Sequence, residues 1–334
     1  MKIDASVDSN PSRIGDEALK AEKLGYDGIR VAETNREPFL PLTLAAQCTS
    51  EVELVTSVVV AFARNPMLLA MQAHELNVFS NQRLVLGIGS QVKPHIERRF
   101  SMPWHKPARQ MREFISAMYA IFACWYDGER LEYQGEYYRY DLMPTTFRPP
   151  EHDVRRPRVI LSATGPLMTK VAAELADGMI AHPFSSLEYL KEVTLPAIEE
   201  GLAKSGRSCA DFQLDYSPML AVGVNEESLS RQVTAVRDRI AFYGCTVAYR
   251  PVLELHGWGA LQDELITLNR QHRTKEMRAL ITDEILHTIA IVGSSKQVAT
   301  ELGSRLNGIV DRTGFQAPDL SNEDLATTIK QLRG

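Results

Sequence analysis

The sequence predicts an α/β protein in which eight parallel strands alternate with helices and close into a (β/α)8 barrel. Three observations point that way. Eight strand-like apolar runs are separated by amphipathic helical stretches. The most apolar runs lack polar alternation, as parallel strands covered on both faces do. The chain has 334 residues, 44% of them hydrophobic, enough for one large core. A doubly wound open sheet is the rival arrangement of the same rhythm.

KIDASV at 2–7 is the first strand. Asn10 and Pro11 suit the N-cap and first position of a helix whose Ile14, Ala18, Ala21 and Leu24 share one face, closed by Gly25. YDGIRVAE at 26–33 is strand 2, followed by a helix near 39–49 introduced by Pro38. ELVTSVVV at 53–60 is β-branched and apolar, the pattern of a central strand. A helix over 67–79, strand LVLGIGS at 84–90 and a helix over about 107–126 follow. Next come RVILSAT at 158–164, a helix from Pro166, GMIAHP at 178–183, a helix over 187–204 and FQLDYSPMLAV at 212–222. A helix near 227–242, an irregular helical stretch over 257–288, a helix from Ser294 and the strand GIVDRTGF at 308–315 complete the chain. Residues 1–334 thus read as one barrel domain with two insertions, about 127–157 and 245–290. Insertions after strand C-terminal ends build or cover a site.

Lys plus Arg number 37 and Asp plus Glu 42, for a net charge of −5, with basic residues scattered. That argues against nucleic acid as a partner. Cys48, Cys124, Cys209 and Cys245 form no CxxC pair, which suits reduced thiols, and no histidine spacing suggests a metal site. The N-terminus has acidic residues and no apolar leader, and the longest apolar run, LVTSVVVAFA, is far short of a membrane span. These features predict a cytoplasmic protein with a small-molecule substrate and no membrane partner.

In a barrel, chemistry gathers at the C-terminal strand ends. These carry Glu33 and Thr34 after strand 2, Val60 to Arg64 after strand 3, and Ser90 to Arg99 after strand 4. Strands 5 and 6 add Thr164, Gly165, Pro166 and His182. Gly87 and Gly89 resemble the start of a dinucleotide fingerprint, but Val92 holds the third glycine position. No GxSxG elbow surrounds Ser90, and there is no P-loop. Thr164 and Gly165 lead into a helix, so free amides and the helix dipole favour a phosphate there. The collection is polar, partly cationic and rimmed by apolar groups, as a flat anionic cofactor requires. His95 and His182 are candidates for proton transfer because imidazole titrates near neutrality.

The run TSVVVAFARNPMLLAMQAHELNVFSNQRLVLGIGSQVKPHIERRF at 56–100, with LEYQGEYYRYDLMP, RVILSATGP and ELADGMIAHPF, resembles the bacterial luciferase-like superfamily. Within it the chain is most similar to the oxidoreductases that use the deazaflavin coenzyme F420, and the likeness returns at IAIVGSSKQVATEL and IVDRTGF. The resemblance implies a TIM barrel whose mouth holds the flavin or deazaflavin ring. It also implies a homodimer or higher homo-oligomer, and a non-proline cis peptide in a strand 3 bulge, matching Ser57-Val58. By the same likeness Ser57, Val58 and Val60 support the ring, Gln91, Lys93 and His95 line the ring and side chain, and Thr164, Gly165 and Pro166 meet the phosphate. Lys93, Arg98 and Arg99 are candidates for the deazaflavin's longer anionic tail. Many deazaflavin dehydrogenases carry Asp-His after strand 2, and some a Glu after the strand 4 glycines; here Glu33-Thr34 and Val92 stand there. The substrate is therefore not carried over, and Glu33 is left to orient a ring edge or substrate hydroxyl. The expected activity is hydride transfer between F420 and a small organic substrate. An FMN-dependent monooxygenase, or a flavin-binding protein without catalysis, are the alternatives.

Overall fold

Eight strands carry the fold in the computed structural model, which describes residues 1–150 and 153–333. They are β1 (Lys2–Ser6), β2 (Gly28–Val31), β3 (Glu53–Thr56, resumed at Val59–Val60) and β4 (Leu84–Gly89). The second half comprises β5 (Arg158–Ala163), β6 (Gly178–Ala181), β7 (Gln213–Tyr216) and β8 (Arg312–Gly314). Every neighbouring pair is parallel, and β8 pairs with β1 through Lys2 and Arg312, so the sheet closes. The open-sheet alternative is excluded by that last pairing.

Helices form where the sequence places them, with Pro66, Pro107 and Pro166 opening three of them at a position that needs no amide donor. The first helix differs from expectation. It begins at Ile14, not Pro11, because the Asn10 side chain accepts from the Ser12 amide at 3.1 Å and caps a separate turn. FQLDYSPMLAV is also two strands. The chain leaves the barrel at Ser217-Pro218, and Met219–Val222 pairs in parallel with Ala290–Gly293, a strand the sequence reading passed over. Between these two strands, helices over 226–289 enclose a second apolar core that includes Phe184, Tyr189, Val236, Leu265 and Ile285.

The barrel interior is divided. On the β3–β6 side it is apolar, with Val55, Val85, Ile160 and Ile180 in contact and Val58 packed on them. On the β1, β2, β7 and β8 side it holds Asp4, Arg30, Asp215 and Arg312, all buried. Arg30 donates through Nε to Asp4 at 2.8 Å and through Nη2 to Asp215 at 2.9 Å, while Arg312 forks onto both oxygens of Asp4 and reaches Glu53. Paired charges replace the branched apolar layers that ordinarily fill such a barrel.

Candidate active site

A cavity of about 940 Å³ opens at the C-terminal strand ends, walled by the ends of β2 to β7 and by residues 243–249. Of the expected site residues it is lined by Glu33, Ser57, Val58, Val60, Gln91, Lys93, Thr164, Gly165 and His182.

One wall is the bulge where β3 is interrupted. Ser57-Val58 is a cis peptide, and the Val58 carbonyl accepts from the Glu33 amide. Gly87 and Gly89 of the neighbouring strand make room for it. A Cβ on Gly87 would lie 2.0 Å from the Thr56 carbonyl oxygen, and one on Gly89 would lie 2.8 Å from Val58 Cγ2. The two glycines that resemble a nucleotide fingerprint thus serve close strand approach and not a pyrophosphate. Glu33 fixes the far side of the bulge: its Oε2 accepts from the Val60 amide and from Arg64 Nη1, each at 2.7 Å. With 7% of its side chain exposed and Arg64 as counter-charge, Glu33 acts as a positioning residue for β3.

The opposite wall favours an anion. The helix Pro166–Leu175 has no side-chain cap, and its first backbone bond runs from the Thr169 amide to the Gly165 carbonyl at 3.1 Å. The Leu167 and Met168 amides precede that bond and add to the positive end of the helix dipole. A Cβ on Gly165 would meet nothing within 4 Å, so the approach to those amides is open. Tyr189 braces the turn by donating its hydroxyl to the Thr164 carbonyl at 3.3 Å. The smooth bulge and the uncapped helix together fit a flat ring with an attached phosphate.

His182 stands after β6 between two tyrosines. Its ring stacks on Tyr249 at 4.3 Å, and Tyr243 meets it edge-on at 4.7 Å. Burial pushes its imidazole down to about 4, so it is neutral at pH 7. In the unfolded chain the same group binds its proton near its ordinary value of about 6.5. The fold therefore loses stability as pH falls from 6.5 toward 4. Between pH 7 and pH 5 the wild type is expected to lose about 2 kcal/mol relative to a His182→Gln variant, measured as the difference in urea unfolding free energies. Equal pH dependence in the two proteins would refute this. Asp215 acts in the opposite sense in both proteins and cancels from the comparison: burial, resisted by the Arg30 guanidinium, raises its carboxyl to about 6.

The cavity floor is Arg30, with its remaining contact from Nη1 to Ser217 Oγ at 2.9 Å. Burial works against the Asp4 carboxylate, but the Arg30 and Arg312 charges overrule it and hold the group below the usual range. Among the described residues no group of three His, Cys, Asp or Glu side chains is placed to hold a metal.

Three expected site residues stand apart from the cavity. His95 and Arg98 lie on the exposed side of the short helix Lys93–Arg98, which buries only Ile96. Pro166 opens its helix on the outside, and Met168 reaches the cavity instead. Arg99 bonds the Thr34 carbonyl and stacks over Phe100, so of the proposed tail-binding trio only Lys93 is at the rim, paired loosely with Glu97 at 3.7 Å. The insertion at 127–157, of which Glu151 and His152 lie outside the described residues, does not wall this cavity. Its Glu136, Tyr137 and Tyr138 line a separate one of about 660 Å³. The second insertion does contribute, through Cys245 to Tyr249. Arg30, Ser217, Trp104, Tyr243 and Tyr249 were missed. Arg30 was the readable one, a lone charge inside the apolar run GIRV.

A model of the luciferase-like monooxygenase family matches residues 2–312. An uncharacterized protein of Mycobacterium tuberculosis is 46% identical over 312 residues, 93% of this chain and 92% of the relative. A 5,10-methylenetetrahydromethanopterin reductase of Archaeoglobus fulgidus is 28% identical over 287 residues, covering 83% of this chain and 81% of its own. Among solved structures, the coenzyme F420-dependent tetrahydromethanopterin reductase of Methanopyrus kandleri superposes with a TM-score of 0.77 at 20% identity, over 99% of this chain and 97% of that one. That likeness speaks for the barrel fold. No described helix is long and apolar enough to cross a membrane. Taken with the closed barrel and the bulged third strand, the match over residues 2–312 settles the assignment: the chain belongs to the luciferase-like monooxygenase family.

Proposed function

We propose that the protein is an oxidoreductase that uses coenzyme F420 and exchanges a hydride with a small organic substrate. The observation that carries this reading is the pairing, in one cavity, of the smooth β3 bulge with the uncapped helix start at Gly165. The reductases among its relatives support it. Ser57, Val58 and Val60 would carry the ring, and the Gly165 turn with the Leu167 and Met168 amides would hold the phosphate. When bound, the deazaflavin supplies a carbon that gives or takes a hydride. The chain's own share is to fix the ring against the bulge, present the substrate and keep water out, since hydride transfer depends on positioning more than on a strong base.

FMN also brings a flat ring and one phosphate, and the family description names monooxygenases, so both cofactors enter the test. Titration of the purified protein with each, followed by fluorescence, is expected to give tight binding of the deazaflavin and weak binding of FMN. Gly165→Ala is expected to weaken deazaflavin binding about tenfold, because a methyl group would stand where the phosphate approaches. Tight FMN binding without deazaflavin binding would select the monooxygenase reading.

A homodimer is part of the same proposal. Leu68, Met71 and Phe79 of the helix Pro66–Phe79 are 46%, 51% and 57% exposed, an apolar stripe on one helix. Sedimentation equilibrium is expected to give twice the chain mass, and Met71→Glu to shift it toward the monomer.

A further inference from the structure

We propose that the substrate is an uncharged molecule carrying a carbonyl or alcohol oxygen on an apolar body, and that His182 binds this oxygen by donating its Nε2 hydrogen.

The ring's own bonding fixes the donor. His182 Nδ1 accepts from the Phe184 amide at 3.0 Å, which requires a lone pair on Nδ1 and so places the ring proton on Nε2. Burial keeps the imidazole neutral and preserves that arrangement. Nε2 has no partner among the described residues, and His182 lines the cavity together with Tyr243 and Tyr249. Tyr249 and Tyr243, stacked and edge-on, prevent the ring from turning away.

The charge balance of the walls selects a neutral substrate. Two charged side chains line the buried part of the cavity and each has a counter-charge, Arg30 with Asp4 and Asp215 and Glu33 with Arg64, while Lys93 stands at the exposed rim beside Glu97. An ionised substrate group buried beside His182 would lose its water and find no free opposite charge there, a large penalty. A carbonyl or hydroxyl exchanges water for one N–H bond, and Trp104, Met168, Ile180 and Val247 receive the apolar body. The free amides after Gly165 favour an anion, and the cofactor reading assigns them to the cofactor phosphate. The substrate assignment rests on that reading.

Protein labelled with 15N-histidine, titrated with cyclohexanone, cyclohexanol and cyclohexanecarboxylate in the presence and absence of the deazaflavin, tests this. The proton of His182 is expected on Nε2, and the ketone and alcohol are expected to shift its resonance. The carboxylate should bind at least about tenfold more weakly than either. His182→Phe is expected to weaken ketone binding about five- to tenfold, and His182→Gln, which keeps an N–H, by less. A proton on Nδ1, a carboxylate that binds as well as the ketone, or a Phe variant with unchanged ketone affinity would overturn the assignment. Deazaflavin fluorescence separates the two readings. Quenching without any ketone response overturns the His182 assignment, whereas a ketone response without quenching upholds it and overturns the cofactor.

Discussion

A Gly87→Ala variant is expected to lose at least about 3 kcal/mol of stability, visible as a lower urea midpoint and a lower yield of folded protein. The added Cβ would sit 2.0 Å from the Thr56 carbonyl oxygen and 3.1 Å from Ile180 Cδ1. The Ile180 methyl can give by a few tenths of an ångström, but the Thr56 backbone carbonyl cannot yield cheaply. Thr56 is held from the other direction by its own hydroxyl, which donates to the Gly87 carbonyl at 2.7 Å. The strands would have to separate, and the bulge at Ser57-Val58 would move with β3, so cofactor binding should fall with stability. Gly165→Ala is the control, because its methyl group enters open space and should leave the midpoint unchanged. A Gly87→Ala protein as stable as the wild type would show that β3 and β4 are not in the contact described.

Arg312→Met is expected to cost about 3–5 kcal/mol, read from urea unfolding at pH 7. Arg312 is fully buried, and its guanidinium contacts both Asp4 oxygens and Glu53. Methionine roughly fills the volume but leaves Asp4 with Arg30 alone and removes the buried counter-charge of Glu53. Glu53 keeps Lys2 and Arg158, so the penalty is that of two buried carboxylates, Asp4 and Asp215, left to share Arg30, not the worth of one bond. A loss under about 1 kcal/mol would mean that these carboxylates take up protons in the variant, and a steeper stabilisation on acidification would reveal it.

The barrel was legible because its strands are covered on both faces. ELVTSVVV and LVLGIG read as largely apolar runs without polar alternation, and their ends marked where the cavity would open. What escaped detection was whatever depends on partners far along the chain. Arg30 meets Asp215 185 residues away, and Asp4 meets Arg312 across 308. No local pattern reports such pairs, and each charge taken alone resembles a strand end. Ala290–Gly293 escaped for the opposite reason: four apolar residues directly after the helix Asp283–Ile289 continue its apolar character, and only the distant Met219–Val222 makes them a strand. His182 was found by residue type, but its role depends on the Phe184 amide and on Tyr249, which comes 67 positions later in sequence. The placement of His95 and Arg98 was misjudged because nearness to a strand end says nothing of which side a one-turn helix presents.

The two-strand ladder between Met219–Val222 and Ala290–Gly293 has an evolutionary corollary. It brings the start and finish of a long excursion side by side, so its contents can be lengthened, shortened or exchanged while both attachment points stay put. The same excursion supplies Tyr243 and Tyr249 to the cavity. Changes within that excursion can thus reshape one wall of the cavity without touching Asp4, Arg30, Asp215 and Arg312 in the charged half of the barrel.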